Sequence, residues 1–405
     1  MSAQPPPADD IAATFGEPLS AMLDGRGWRP GFDLLAEYAR VEDQIADAVR
    51  FETDQVAEVR RHVFPRLKDA GVAPPEAGHY VATADEIRAT HLGLLFNGGV
   101  TACDGTHQMH DTLALTVHQI GVALVSYAGD GGTWSHRLFR RDLRQDHGDP
   151  VETMTQLLAA RGNRGALNHP DRRDDLNELA QRALMSYAEA QFLLEKPDAK
   201  SLWRLGHGSP APYQLLGGVN RPDFTVAAIR VLRKLIAHER FVYVSSEPAD
   251  RLALTIGQAL RPREYAVIGT LTERITPFVD KVRLTGPAGT DLDWAAGERL
   301  SPTDWVIRFR DEVAAEVLYG VYRASTLAPP QMFYCHRKHH EVAARIAIAD
   351  SELQPDRGWP VLIDLADHAC KLCHGGTGLK AVADAAYARV APPFVYQSER
   401  ANRPG

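Results

Sequence analysis

A short apolar strand that runs straight into an acid constrains this chain more than any other feature. Val100-Thr101-Ala102-Cys103 reads as a buried strand, and Asp104-Gly105-Thr106 follows at once. The apolar run Leu92–Phe96 and an Asn97-Gly98-Gly99 turn precede it, a pairing that signals a hairpin. An acid at a strand end beside a glycine turn is held on rigid backbone with its oxygens facing a cleft. A metal-dependent phosphodiesterase places its first carboxylate in this way. The same Asp-Gly pair also suits an ordinary turn between two strands.

The run from Leu113 to Tyr127 reads as a strand, clearest over Thr116–Val125, and Thr133–Arg140 continues the meander. Further strands are expected at Leu202–Leu205, Phe241–Val244, Lys281–Leu284, Trp305–Arg310 and Val317–Arg323. Helices are expected from Asp149-Pro150, over Asp174–Glu195 (closed by Lys196-Pro197-Asp198), and over Pro222–His238, His340–Ile348, Val361–Leu372 and Leu379–Val390. Strands and helices mixed in this order predict an α/β fold around a mixed sheet with flanking helices. Ahead of that core, Tyr38, Val41, Ile45, Val49, Val56, Val59, Val63 and Leu67 recur at helical spacing. They predict a long amphipathic helix over Phe32–Lys68 that packs on its own chain or on a partner. The expected organisation is a flexible N-terminus (1–30), a helical extension and linker (31–88), a main domain (89–395) and a tail (396–405).

Three positions carry candidate chemistry: Asp104, Glu189 within a small-residue helix, and His207 in Gly206-His207-Gly208-Ser209. Two carboxylates and an imidazole that converge suit Mn²⁺ or Mg²⁺. Each also has a plain reading, Glu189 as a helix acid and His207 as a turn histidine.

The order of these pieces resembles the NurA family of nucleases. That pattern runs from a D-G-S strand end, through a helical Glu, a second D-G strand end and a V-S-K-S strand, to a late Y-P…A-H helix. Here Cys103-Asp104-Gly105-Thr106 matches the first, Glu189 the second, and Gly206-His207-Gly208-Ser209-Pro210 the third, with His207 in place of the acid. Tyr243-Val244-Ser245-Ser246 matches the fourth, with Ser246 where a lysine is usual. Gly358-Trp359-Pro360, followed by Asp367 and His368, matches the last, with Trp359 for the tyrosine and Asp367 at the histidine position. The resemblance implies an RNase H-like core and a metal-dependent nuclease acting on DNA. Its expected catalytic residues are Asp104, Glu189, His207, Asp367 and His368, and its expected metal ligands Asp104, Glu189 and His207. It further implies a homodimer around a DNA channel and a HerA-like hexameric ATPase partner, in DNA end processing or anti-phage defence. The exchanged residues also suit a catalytically degenerate subunit that docks on the ATPase.

Other signals point less far. The net charge of −7 argues against coating nucleic acid by bulk charge, though not against a local basic groove. Four cysteines in 405 residues make no disulfide framework, and neither a secretory signal nor a membrane span is read. A cytoplasmic protein is expected. Cys370-Lys371-Leu372-Cys373-His374 fits a haem-attachment pattern, and could hold zinc with Cys335 or His336. The basic clusters His336–His340, Arg137 with Arg140, Arg141 and Arg144, and Arg161 with Arg164 are candidate phosphate contacts or solvated faces. Gly129-Asp130-Gly131-Gly132 lacks the lysine of a phosphate loop.

Overall fold

Runs rich in β-branched and aromatic residues form the strands of one large sheet, and glycine and charge punctuate them. The computed structural model describes residues 12, 15–28, 31, 34–69, 71, 73–111, 115–129, 133–142, 151, 155, 183–195, 201–216, 222–246, 251–279, 291–295, 297–375 and 378–390. Contacts divide the chain into Met1–Glu58 and Val59–Gly405. The first unit holds most of helix α1 (Leu34–His62), a 29-residue helix with no buried residue. Its apolar stripe of Leu34, Tyr38, Val41, Ile45 and Val49 is exposed along its length.

The second unit is built on a nine-stranded mixed sheet. Its strands are β1 (Gly78–Val81), β2 (Val100–Asp111), β3 (Leu115–Val125), β4 (Thr133–Asp142), β5 (Trp203–His207), β6 (Phe241–Ser245), β7 (Glu264–Thr270), β10 (Val317–Arg323) and β11 (Gln331–His336). They lie in the order β1-β7-β10-β11-β6-β5-β2-β3-β4. Only the central β6–β5 and β5–β2 pairs are parallel. A separate hairpin joins β8 (Leu292–Ala295) to β9 (Glu298–Leu300).

Strand residues alternate between the two faces of a sheet. Ala102, Leu205, Val244 and Phe333 point to one face and join a core cluster with helices α8 (His340–Glu352) and α9 (Val361–His374). Helix α2 (Ala84–Thr90), opened by a reciprocal Thr83–Glu86 cap, packs there through Ile87. The other face carries α3 (Met185–Glu195), whose Met185 and Glu189 lie against Gly105 of β2. Helix α4 (Pro222–Ala237) packs on α3. Helices α5 (Arg251–Gln258) and α6 (Leu271–Val279) pack against β7 and β10. The result is the expected α/β architecture, with a mixed sheet and flanking helices.

Several expectations change. Leu92–Phe96 is not a strand: His91–Leu95 continues α2 as a π-helical turn. The Asn97 side chain ends it, donating to the Gly93 carbonyl at 2.6 Å and accepting the Gly99 N–H at 3.0 Å. A short apolar run fits a buried helix as well as a strand, and here the Thr83 cap upstream set the helix. Trp305–Arg310 is also helical, in α7 (Pro302–Arg308) and a π turn over Phe309–Val313. Ser301 caps α7 and Pro302 opens it. Asp104 lies inside β2, not at its end. Strands β1, β7 and β11 and helices α5 and α6 add to the expected elements. The helix from Asp149, the first part of the Asp174–Glu195 helix with its Lys196-Pro197-Asp198 stop, the strand Lys281–Leu284 and the C-terminal tail lie outside the described residues.

One buried acid ties the elements around β2 together. Asp350 of α8 has no exposed surface. It accepts the Tyr127 hydroxyl at 2.6 Å, just after β3, and the Leu362 N–H at 2.9 Å, in the first turn of α9. Burial raises its pKa from 3.8 to about 6, against the lowering effect of those two donors. The folded state therefore binds this proton more tightly than the unfolded state. The stability it contributes is present below about pH 4 and lost as pH rises through 6. In denaturant melts, the stability of wild type relative to Asp350→Asn should fall across that window. Asp350→Ala, which strands two buried donors, should cost about 2–4 kcal/mol at neutral pH.

Candidate active site

The site begins where two parallel strands part. Strand β5 pairs with β2 only from Val100 to Ala102, whereas β3 pairs with β2 from Ala102 to Asp111. Two residues beyond the last parallel pair, Asp104 therefore sits on a strand with one edge uncovered. Its neighbour across the gap is His207, the last residue of β5. Nδ1 of His207 lies 3.7 Å from Oδ1 of Asp104, an ion-pair distance longer than a hydrogen bond. The histidine side chain is 47% exposed and the aspartate 11%. The Asp104 carboxylate raises the pKa of His207 above its ordinary value, and Asp367 and Asp364 add to this, while burial opposes it.

Glu189 arrives from the opposite face. Residue 105 has no Cβ, and a Cβ built there would stand 2.5 Å from Oε1 of Glu189 and 2.9 Å from Cγ of Met185. The bare backbone lets the glutamate lie against β2. Burial, and then the charge of Asp104, raise Glu189 from 4.5 to about 8. The Cys103 thiol donates to the Glu189 carbonyl at 3.6 Å. Tyr243 of β6 fills the space beside the equally bare Gly206, and burial pushes its pKa up, with help from Cys103 and Glu189.

Helix α9 forms the third wall. Asp367 accepts from Lys371 Nζ at 2.6 Å, so its charge reaches His207 without a bond to it. His368 is exposed. Cys370 is buried, and burial, Asp104 and Glu189 push its thiol up to about 12. The structure also brings in Asp364, which the sequence reading passed over. It is held by Arg357 and by Gln354 Nε2 at 2.8 Å. The sequence carried a signal for it, since Asp364 and Asp367 stand three apart on one helix and so share a face. Trp359, just before α9, meets the His207 ring edge-on, with centroids 5.4 Å apart and planes at 79°.

The secondary signals resolve in other ways. Arg337 is bound twice by Glu76, at 3.0 and 2.9 Å, and Lys338 by Glu239 at 2.7 Å, so that basic cluster is largely neutralised. Arg137 and Arg140 are exposed on the edge strand β4, while Arg144, Arg161 and Arg164 lie outside the described residues. Cys370 is buried, Cys373 is exposed and Cys335 is enclosed in β11. Among the described residues, no three His, Cys, Asp or Glu side chains form a group able to hold a metal. That count includes the expected zinc set and the expected set of Asp104, Glu189 and His207. The Asp104–Glu189 pair still fits a hard divalent cation. Mg²⁺ in particular takes one or two carboxylates and completes its shell with water and substrate phosphate. Burial is the main cause that raises Glu189, and the charge of Asp104 that adds to it is what such a cation relieves.

Comparison with known proteins finds no matching family model and no matching curated protein. Among solved structures, the chain is similar to the NurA nuclease from Sulfolobus solfataricus, at 9% identity and a TM-score of 0.45, over 88% of this chain and 98% of that one. It is also similar to NurA bound to dAMP and manganese, at 8% identity and a TM-score of 0.44, over 87% and 98%. NurA with manganese gives 8% identity and a TM-score of 0.41, over 87% and 99%.

Proposed function

We propose that this chain is a metal-dependent deoxyribonuclease with an RNase H-like core that hydrolyses phosphodiester bonds in DNA. The observation that carries the reading is Glu189 lying against Gly105 within reach of the charge of Asp104, with His207 3.7 Å from Asp104. Bound by Asp104 and Glu189, Mn²⁺ or Mg²⁺ would acidify a water and offset the charge that builds on the attacked phosphate. Asp104 holds the Nδ1 side of His207, which leaves Nε2 free to pass a proton to or from the reacting oxygens, or to join the metal shell. Asp367, Lys371 and His368 line the rim, where Lys371 is 63% exposed and able to meet a backbone phosphate.

The order of sequence motifs supports a wider assembly: a homodimer that encloses DNA and is fed by a HerA-like hexameric ATPase, in DNA end processing or anti-phage defence. The exposed apolar stripe of α1 is the candidate contact for a second copy or for the ATPase. No helix among the described residues is long and apolar enough to cross a membrane. A second reading, a non-catalytic subunit that docks on the ATPase, is favoured by the lack, among the described residues, of a set of three ligands and by His207 in place of an acid.

Purified protein with Mn²⁺ and linear DNA separates the two. Degradation is expected in wild type, with loss on the order of a hundredfold or more in Asp104→Ala and on chelation by EDTA. Absence of cleavage with and without the ATPase would sink the catalytic reading.

Gly105→Ala tests the convergence itself. The new Cβ takes the place of the Glu189 carboxylate, so activity should fall at least about tenfold. Mn²⁺ should also stop raising the Tm of the variant, although it raises that of wild type by ligand linkage. Full activity in this variant would show that Glu189 is not needed at that place.

A further inference from the structure

We propose that Trp359 is a positioning residue that fixes the His207 ring, so that Nδ1 faces Asp104 and Nε2 is the nitrogen offered to the cleft. The inference rests on the nuclease reading of this site. His207 ends its strand and is half exposed, and a ring so placed turns freely about its terminal bond unless something holds it. Two contacts do so. One is the Asp104 carboxylate at 3.7 Å, and the other is the indole, edge-on with centroids 5.4 Å apart. The carboxylate alone reads only one nitrogen. The indole restricts the plane of the ring, and the two together leave one orientation.

Trp359 is itself a fixed mount. It is 7% exposed and sits in the core cluster with Leu205, Leu362, Ile363 and Ala366. Its carbonyl accepts from Gln354 Nε2 at 2.8 Å, and the same amide holds Asp364 at 2.8 Å. The indole is therefore tied both to the strand that ends in His207 and to the helix that carries Asp364 and Asp367. His207 and Trp359 are also two of the positions where this chain departs from the motif pattern, and they touch. An imidazole whose Nδ1 faces a carboxylate turns its Nε2 towards a metal or a proton, and the group that orients it matters nearly as much as the ring.

The test uses the full chain labelled with ¹⁵N-histidine, in EDTA at one pH. His207→Ala identifies the His207 signals. Wild type should show a protonated Nδ1 and a bare Nε2. Trp359→Leu, or Trp359→Met should the leucine variant fail to fold, should give an average of the two nitrogens, and Trp359→Phe should restore the wild-type pattern. On linear DNA with Mn²⁺, the ringless variant should lose about ten- to a hundredfold in kcat with KM little changed. In a His207→Ala background it should lose nothing more. Unchanged His207 signals, or an equal loss in both backgrounds, overturns the proposal. If wild type cleaves no DNA, the nuclease reading falls, and the spectra still decide whether Trp359 orients His207.

Discussion

Residue 105 has no side chain, and the candidate site exists in the space that this leaves. Strand β2 separates two helical layers, and side chains on its opposite faces ordinarily never meet. Asp104 belongs to the layer of α9, and Glu189 to the layer of α3 on the other side. Strand β5 has already left β2 after Ala102, which opens an edge beside Asp104, and the glutamate lies against the bare backbone of Gly105, near enough for the charge of Asp104 to raise its pKa. A single methyl group there would close the route. The arrangement has an energetic cost, seen in Glu189 raised to about 8 beside a second carboxylate. Local destabilisation of this kind is expected where a site is built for a partner that the bare protein lacks.

The other walls depend on how firmly α9 is mounted. Asp350 meets its first turn through the Leu362 N–H, Trp359 anchors the loop before it, and the helix packs along β2 with Cys370 buried. These ties join the helix to α8, to β3 and to the strand that carries Asp104. Groups held by packed secondary structure keep catalytic distances better than groups on loops. Gln354 and Arg357, which hold Asp364, belong to the segment between α8 and α9, so that acid is fixed at the same junction.

Much of the fold was legible because burial on both faces demands β-branched runs. Val317–Arg323 and Phe241–Val244 read as strands for that reason, and the structure places them at β10 and β6. Leu92–Phe96 misled because five apolar residues carry no period long enough to tell helix from strand. What decides the matter is the Thr83 cap upstream, together with the stacking of His91 on Phe96 at 5.2 Å. Strand β1 was hidden because Gly78–Val81 is only four residues long and begins with a glycine. At the site, Asp104, Glu189 and His207 could be named singly from local chemistry. That Glu189 lies against the bare backbone of Gly105 could not, since it depends on where α3 packs on β2. Asp364 escaped notice because its role follows from the position of α9, which no local motif encodes.

The charges around the site sort into two groups, and the sorting bears on how it would meet DNA. Asp364 already has Arg357, and Asp367 already has Lys371. Those acids are balanced within the protein, and they shape the rim without adding much net field. Burial, and then the charge of Asp104, are why Glu189 holds its proton so firmly, while the His207 ring faces Asp104. On the proposed reading, a divalent ion held there would displace the Glu189 proton and offset both carboxylates. A phosphate entering such a site would then find His207 and the exposed Lys371 as its protein contacts. An acidic protein could thus accept a polyanion at one point, since the attraction is concentrated at the cleft and the rest of the surface repels.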